Sequence, residues 1–282
     1  MTPAAATRSA RVLLHATQDR LTAAGVENAR VDSEILLAHV LGETRSALLS
    51  DLDRVVDEER ADELAALVAR RALREPLAYV VAEWGFRRLT LSVDRRVLVP
   101  RPETEVLVQR CLDLAANVSE PAVLDVGTGS GAVALAIADE HAGARVTGID
   151  ASTGALAVAA ANAERLGLVV AFRRHDLFAG LPAGPWDLVA SNPPYVSPDE
   201  IDRLDPEVRD WEPRIALVGL GATEAIAEGA VAVLRDGGAL VLEVADGDAG
   251  RVAALLRELG YRNVTITDDL AGRARVVEGV RA

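Results

Sequence analysis

The string Asn192-Pro193-Pro194-Tyr195 combines residue types that can hold a planar nitrogen carrying two hydrogens. It directly follows the apolar run 186–191, which reads as a buried strand, and its prolines fix the backbone. Asn192 offers a side-chain carbonyl oxygen, Pro193 a backbone carbonyl and Tyr195 a flat face. Two such acceptors would free the delocalised lone pair of the nitrogen for attack. The string predicts a site for a carboxamide or an exocyclic amino group, although alone it is equally typical of a proline-terminated loop.

A glycine-rich turn follows an earlier apolar run, 123–126, and leads into the helical pattern 132–138. Glycine permits positive φ and close approach to a ligand, and the start of a helix leaves N–H groups unpaired. This pattern predicts a nucleotide-type binding turn. The residues that we assign to the cofactor here are Gly127, Thr128, Gly129 and Gly131.

Three acids stand at positions where a cofactor could meet them. Asp150 ends the predicted strand 144–149, where an acid typically accepts from ribose hydroxyls, and Asp176 follows the next strand and could accept from an adenine amino group. Asp125 precedes the turn. The turn also satisfies the dinucleotide fingerprint loosely, so alone it does not separate NAD from an adenosyl cofactor. Gly131 and Asp125 favour S-adenosylmethionine, whose ammonium group needs a carboxylate.

These motifs occur in the order typical of an amino-directed class I methyltransferase. The chain resembles the bacterial release-factor glutamine methyltransferases, the HemK or PrmC family, over nearly its whole length. The segments that carry the resemblance, besides the motifs above, are 32–42, 98–105 with its Pro-Arg-Pro-Glu-Thr-Glu string, 207–213 and 269–273.

The resemblance implies methyl transfer from S-adenosylmethionine, with S-adenosylhomocysteine as product, to the side-chain nitrogen of a glutamine in the Gly-Gly-Gln loop of release factors. Asn192 and Pro193 would orient and activate the amide, with Asn192 next to the cofactor, and Tyr195 would pack against its plane. Pro194 completes this substrate-binding string. Arg101 and Glu103 are assigned to substrate access or a hinge, with helix capping as an equal alternative.

Three segments depart from the family pattern, all outside the cofactor turn and the Asn-Pro-Pro-Tyr string. Ala78 and Ala82 stand where the family usually has Gln and Gly. The segment 217–223 lacks the usual Asp-Gly ending, and the segment 243–248 lacks the usual Gly and Gln after the acid. The chemistry is therefore better supported than the identity of the substrate glutamine. The positions concerned are Ala78, Ala82, Ala222, Ala245 and Asp248.

Composition limits the class of protein. With 282 residues, half of them hydrophobic, the chain can hold an α/β core and a smaller second domain. All 30 basic residues are Arg. The single Cys111 lies at the spacing of a helix core, and the four scattered histidines suggest no metal. The sequence contains no apolar run of membrane length, and residues 1–8 contain no signal-type apolar block. We therefore expect the protein in the cytoplasm. We also predict a monomer.

Charge is divided unequally along the chain. Residues 1–98 carry 14 Arg and 15 acidic residues, whereas residues 99–282 carry 16 Arg and 28 acidic residues. A catalytic domain this acidic is a poor partner for a phosphate backbone. We therefore expect no direct DNA binding and favour a protein substrate.

The predicted fold class is α/β: a class I, Rossmann-like methyltransferase with a doubly wound sheet and a small N-terminal helical domain. Helices are predicted at 12–23, 33–41, 57–73 and from Pro102 to Ala115, and a β-hairpin at 86–97. Parallel strands are predicted at 123–126, 145–149, 169–172, 187–190 and 239–243, followed by an antiparallel pair at 263–267 and 274–278. By resemblance, one strand of the pair inserts antiparallel into the sheet.

We divide the chain into a substrate-recognition domain at 1–84, a hairpin linker at 85–98 and the methyltransferase domain at 99–282. The sequence leaves four other functions open. They are a paralogue that methylates another protein glutamine, an amino-directed nucleic-acid methyltransferase, an NAD-linked oxidoreductase, and a non-catalytic module that holds a translation factor.

Overall fold

The computed structural model describes residues 8–282. The expectation that residues 1–8 lack a signal-type block therefore falls almost entirely outside the described part. The α-helices are α1 (Ala10–Ala23), α2 (Ala29–Leu41), α3 (Arg45–Ser50), α4 (Glu58–Ala72), α5 (Leu77–Val81), α6 (Thr104–Ala115), α7 (Ala132–Glu140), α8 (Thr153–Leu166), α9 (Pro206–Arg209), α10 (Arg214–Leu217), α11 (Ala222–Val233) and α12 (Ala249–Glu258). The strands are β1 (Arg8–Ser9), β2 (Val55–Val56), β3 (Glu83–Phe86), β4 (Leu89–Ser92), β5 (Ala122–Val126), β6 (Arg145–Asp150), β7 (Val170–Arg174), β8 (Trp186–Ser191), β9 (Leu234–Glu243), β10 (Arg262–Asp268) and β11 (Ala274–Val280).

The chain forms two compact units. The first consists of residues up to Ala82 together with Asp205–Trp211, and the second consists of Glu83–Leu204 and Glu212–Ala282. The predicted boundary at residue 84 differs from this division by two residues. The inclusion of residues 205–211 in the first unit differs from the predicted domain 99–282.

In the first unit, α1, α2 and α4 contact one another around buried leucines and valines. Their starts and ends follow local chemistry: the Asp57 side chain accepts from the Arg60 N–H at 2.9 Å, and Gly42 ends α2 in the left-handed conformation. The three predicted helices are confirmed, although α2 begins four residues before the predicted position 33. The short helices α3 and α5 were not predicted, because five or six residues give too few turns for a periodic signal.

Glu207 explains why residues 205–211 belong to the first unit. Its carboxylate accepts from Arg71 at 2.9 Å and from Arg74 at 2.6 Å, and Arg71 also donates to Asp32 at 2.7 Å. Asp32 and Arg71 are both buried. A buried charge needs a partner, and partners so distant in sequence leave no pattern for sequence reasoning.

The second unit begins with the predicted β-hairpin, but the hairpin is shorter and earlier than expected. Strands β3 and β4 pair antiparallel from Glu83↔Ser92 to Phe86↔Leu89. Residues 93–98, predicted as its second half, are outside the strands. The predicted start of α6 at Pro102 is also two residues early, since the helix begins at Thr104.

A seven-stranded sheet forms the centre of the second unit, in the order β10-β11-β9-β8-β5-β6-β7. Strands β9, β8, β5, β6 and β7 are parallel to one another, and β11 lies antiparallel between β9 and β10. The doubly wound sheet, its five parallel strands and the inserted antiparallel strand are therefore confirmed. The strand order reverses beside β5, and ligands bind at such a switch point, beyond the carboxyl ends of the strands.

Helices cover this sheet, and β5 is buried almost completely. Helices α11 and α12 pack with Leu124, Val126 and Leu240 in one apolar cluster. Because side chains alternate along a strand, Val123 and Asp125 point to the opposite face, where they are also buried. Within residues 8–282, no helix is both long enough and apolar enough to cross a membrane.

Candidate active site

The glycine-rich turn leaves β5 at Val126 and wraps over the end of β6. The N–H groups of Gly127 and Thr128 both donate to the Ile149 carbonyl at 2.9 Å. Gly127, Gly129 and Gly131 have φ of 75°, 56° and 84°, a region that side chains with a Cβ rarely adopt. The sequence thus folds into the tight turn that its glycines predicted.

Gly131 borders neither of the two cavities described below, and its surroundings show a structural role. A Cβ at this position would lie 2.9 Å from Leu135 Cδ1 and 3.3 Å from the Ala159 Cβ. Gly131 is therefore needed for its backbone conformation and for close packing at the start of α7, and a cofactor contact at this position stays a prediction.

Asp150, at the end of β6, is held by the turn. Its Oδ2 accepts from the Gly129 N–H at 3.0 Å, and its Oδ1 accepts from the Ser152 N–H at 2.8 Å. Each carboxylate oxygen has a further lone pair that can accept from a hydroxyl. Asp176 is similarly fixed after β7, since its Oδ1 accepts from the Phe178 N–H at 3.0 Å.

A cavity of about 310 Å³ lies at the carboxyl ends of these strands. This is within the range of cofactor sites in proteins, about 300–1,000 Å³. Five of the predicted cofactor residues border it, namely Gly127, Gly129, Asp150, Asp176 and Asn192, together with Pro194.

Much of the wall is apolar and was missed by sequence reasoning. The missed residues include Val97, Leu98, Phe178, Ile215, Val218 and Gly219. These come from segments without chemical groups or clear periodicity. For Leu98 the available signal was that residues 98–105 carry the family resemblance, and for Val218 and Gly219 it was that their segment departs from the family pattern.

A second cavity, of about 60 Å³, adjoins the first, because both are bordered by Leu98, Gly127, Gly129 and Asn192. Asp125 and Thr128 border only the smaller one. The Thr128 hydroxyl donates to Asp125 Oδ2 at 2.6 Å, so this hydroxyl is committed to the carboxyl group. Burial raises the pKa of Asp125 to about 7, against the opposing effects of the Thr128 hydroxyl and the Ala134 backbone N–H.

Asn192 therefore stands where the two cavities meet. Strand β8 ends at Ser191, whose hydroxyl donates to the Val126 carbonyl at 2.7 Å, and this bond ties β8 to the end of β5. The Asn192 Nδ2 donates to Thr104 Oγ1 at 3.2 Å. The Asn192 amide nitrogen is thus occupied by the protein, whereas its carbonyl oxygen is available to a ligand.

Pro193 and Tyr195 border neither cavity. Pro193 is buried, whereas Tyr195 is 39% exposed. The Tyr195 hydroxyl lies in the electrostatic field of Glu243, Arg275 and Arg101. A partly exposed ring three residues after Asn192 can meet a substrate that arrives from solvent, which a ring enclosed in the cofactor cavity could not do.

Comparison with known proteins identifies the family. The PrmC N-terminal domain matches residues 12–81, and the methyltransferase small domain matches residues 102–204. The release factor glutamine methyltransferase of Caulobacter vibrioides is 39% identical over 272 residues, which cover 94% of each chain. That of Deinococcus radiodurans is 42% identical over 278 residues, covering 96% of this chain and 98% of the relative.

The chain belongs to the release factor glutamine methyltransferase family. A solved structure with the same fold is the 16S rRNA N2 G1207 methyltransferase of Thermus thermophilus, at a TM-score of 0.52 and 18% identity, covering 71% of this chain and 50% of that one. The resemblance predicted from the motifs is therefore confirmed, and the protein is a methyltransferase.

In this member of the family, Arg101 and Glu103 form ion pairs next to the site. Arg101 donates to both carboxylate oxygens of Glu212 at 2.7 Å, and Glu103 accepts from Arg273 at 3.1 Å. Glu103 precedes α6 but makes no capping hydrogen bond with its side chain. Arg101 borders the smaller cavity, so of the two only Arg101 lies at the cavity wall.

The departures from the family pattern lie away from both cavities. Ala78 is buried in α5, and Ala82 ends that helix with φ of 60°, a conformation that costs a residue with a Cβ about 1–2 kcal/mol. Ala222 starts α11, and Asp248 pairs with Arg251 at the start of α12. Ala82, Ala222 and Asp248 thus lie at helix ends, and Ala245 is likewise outside the cavity walls.

Cys111 is buried and free, as predicted for a core thiol. Among residues 8–282, no three His, Cys, Asp or Glu side chains are grouped as a metal site would require.

Replacement of Gly219 by Ala should disturb the large cavity. The new Cβ would lie 2.3 Å from Pro194 Cγ and 2.7 Å from the Pro194 oxygen, so the bridge between Val196 and Val218 must shift. We expect a destabilisation of about 1–3 kcal/mol and weaker binding of S-adenosylmethionine, measured by thermal unfolding and calorimetry. The control is Gly250→Ala in α12, where a Cβ meets nothing within 4 Å. Equal effects of both substitutions would contradict this reading of the cavity.

Proposed function

We propose that this chain transfers a methyl group from S-adenosylmethionine to the N5 nitrogen of a glutamine in the Gly-Gly-Gln loop of peptide-chain release factors. The observation that carries the proposal is the place of Asn192, with its amide nitrogen bonded to Thr104, where the two cavities meet. The relatives named release factor glutamine methyltransferase support the same substrate.

The donor set suits the parts of S-adenosylmethionine. Asp150 would accept from ribose hydroxyls, Asp176 from the adenine amino group, and the Asp125 carboxylate would attract the ammonium group. When bound, S-adenosylmethionine supplies a methyl carbon on positively charged sulfur, and its transfer breaks the carbon–sulfur bond, forms a carbon–nitrogen bond, and yields S-adenosylhomocysteine and one proton.

The Asn-Pro-Pro-Tyr string would orient the acceptor. The Asn192 side-chain oxygen and the Pro193 carbonyl accept from the two N–H groups of the glutamine amide, which weakens the delocalisation of its lone pair. Tyr195 packs against the amide plane, and Pro194 forms part of the cavity wall. No strongly basic side chain is required, because the nitrogen becomes acidic only after it has been methylated. Correct positioning supplies most of the catalysis.

Charge supports a protein substrate over a nucleic acid. Residues 99–282 carry 28 acidic residues against 16 Arg, and a surface of this sign repels a phosphate backbone. A role of the helical first unit in recognising the release factor is part of this proposal. The monomeric state and the cytoplasmic location stay predictions.

The proposal is tested by incubating the enzyme with labelled S-adenosylmethionine and a release factor, with DNA and ribosomal RNA in parallel reactions. Peptide mass mapping should find the methyl group on the Gly-Gly-Gln glutamine and not on a release factor carrying Asn there. Label on nucleic acid would overturn the proposal, and label on another protein glutamine would overturn the substrate alone. If calorimetry shows that the protein binds NAD in preference to S-adenosylmethionine, the proposed reaction and the proposed substrate are both overturned.

Asn192 and Asp150 should have separable effects. We expect Asn192→Ala to lower kcat by about 10²–10³-fold with cofactor affinity nearly unchanged, because its oxygen contacts the acceptor nitrogen. Asp150→Ala should instead weaken cofactor binding by about 10–100-fold, the effect of hydrogen bonds to a charged group. Single-turnover kinetics and calorimetry separate the two, with the exposed Asp139→Ala as the control. Equal loss of cofactor binding in the Asn192 and Asp150 variants would contradict the assignment.

Cofactor binding should depend on pH through Asp125. Because burial raises its pKa to about 7, the carboxyl group is largely protonated below that pH and cannot pair with an ammonium group. We expect the Kd for S-adenosylmethionine to rise about tenfold per pH unit below pH 7, and to become nearly independent of pH in Asp125→Asn. Calorimetry in buffers of different ionisation enthalpy should detect proton release on binding near neutral pH. A constant Kd in the wild type between about pH 5.5 and 8 would contradict this assignment.

A further inference from the structure

A chain of two hydrogen bonds runs from the acceptor site into the protein. The Asn192 Nδ2 donates to Thr104 Oγ1 at 3.2 Å, and Thr104 Oγ1 donates to Glu243 Oε2 at 2.7 Å. These three residues come from three different elements, since Asn192 follows β8, Thr104 starts α6 and Glu243 ends β9. The parallel register, with Ser191 opposite Leu242, brings Asn192 and Glu243 to the same edge of the sheet.

Both inner members of this chain are buried, and of the two only Thr104 borders the smaller cavity. Thr104 is 4% exposed and Glu243 is 1% exposed. Buried polar groups obtain their hydrogen bonds from the protein, so the bonds between these side chains are the ones that decide their orientation.

The donor count fixes which way the Asn192 amide faces. An ionised carboxylate only accepts, and a threonine hydroxyl has one hydrogen, which Thr104 gives to Glu243. Thr104 Oγ1 can then only accept from Asn192, so the Asn192 NH₂ group must face Thr104. In the flipped amide, two oxygens without a hydrogen between them would meet, which is unfavourable.

We propose that Thr104 and Glu243 are positioning residues, which hold the Asn192 amide in the orientation that presents its oxygen to the glutamine nitrogen. This inference rests on the proposed role of Asn192 in methyl transfer. A flipped Asn192 would direct its own N–H groups at the N–H groups of the substrate and could not activate them. Neither Thr104 nor Glu243 needs to contact the substrate for this effect.

The charge state of Glu243 decides whether the Asn192 amide has one preferred orientation. Groups that face it are the Thr104 hydroxyl and the charges of Arg275, Glu103 and Arg101, and Tyr195 lies in its field. Burial, the largest effect, raises the pKa of Glu243 to about 7. A protonated Glu243 can donate to Thr104, which frees the Thr104 hydrogen to bond the Asn192 oxygen and removes the preference for one amide orientation.

The test compares Thr104→Val, which removes the hydroxyl at similar volume, with Thr104→Ser, which keeps it. With saturating S-adenosylmethionine and release factor, we expect Thr104→Val to lose about 10–100-fold in kcat while KM for release factor and Kd for the cofactor change little. Thr104→Ser should stay within about threefold of the wild type. Equal losses in both variants, or a Thr104→Val kcat within twofold of the wild type, would overturn the inference.

A second readout needs neither substrate nor cofactor. In the ¹⁵N NMR spectrum, the Asn192 side-chain NH₂ signals, assigned by their loss in Asn192→Ala, should show slow hydrogen exchange in the wild type and in Thr104→Ser. Fast exchange is expected in Thr104→Val, and slow exchange there would overturn the inference. Thermal unfolding confirms that each variant is folded, and Thr104→Ala replaces Thr104→Val if the latter is not.

The pH profile distinguishes positioning from simple packing. In the wild type, kcat at saturating cofactor should fall as the pH drops below about 7, whereas in Glu243→Gln it should be low and independent of pH over that range. Saturating cofactor removes the contribution of Asp125 to this profile. An unchanged profile in Glu243→Gln would overturn the role of Glu243. If the wild type itself methylates no release-factor glutamine, the proposed function fails instead, and the NMR result still decides the amide orientation.

Discussion

The site depends on the parallel pairing of β5 with β8. Val126 lies opposite Ser191, so the glycine-rich turn and Asn192 leave the sheet side by side. The Ser191 hydroxyl reinforces this alignment by donating to the Val126 carbonyl. Because the side-chain period of a strand is two, a slip of one residue would move Asn192 to the other side of the sheet. The glycine-rich turn and Asn192 are therefore aligned by backbone hydrogen bonds before any ligand binds.

Two acidic residues near this edge of the sheet are buried. Asp125 and Glu243 are each about 1% exposed, and burial raises the pKa of both to about 7. Each has a hydroxyl partner, Thr128 for Asp125 and Thr104 for Glu243, which satisfies one oxygen. A buried carboxyl group near its pKa responds strongly to a cation or to a hydrogen-bond donor. In the proposed mechanism, Asp125 uses this property to attract the ammonium group and Glu243 to orient Asn192.

The first unit relies on a different buried ionic arrangement. Arg71 lies between Asp32 and Glu207, and Arg74 adds a second donor to Glu207. Loss of Arg71 would remove the paired cation from the buried Asp32 and one of the two cations from Glu207. These ion pairs tie Asp205–Trp211 to the first unit, although the chain on both sides belongs to the second. The segment that follows the Asn-Pro-Pro-Tyr string thus has its structural support in the helical unit.

The sequence by itself determined the sheet strands, the glycine turn, the acids at strand ends and Asn192, because each is a local signal: an apolar run, a glycine or a polar residue at the end of a strand. The apolar wall at Leu98 and Ile215, the packing role of Gly131 and the bond of Asn192 to Thr104 were decided only by the tertiary structure. Thr104 and Glu243 are 139 residues apart in sequence, and no periodicity or propensity couples residues at such a distance. Only the parallel register of the sheet and the packing of α6 against β8 and β9 bring them together.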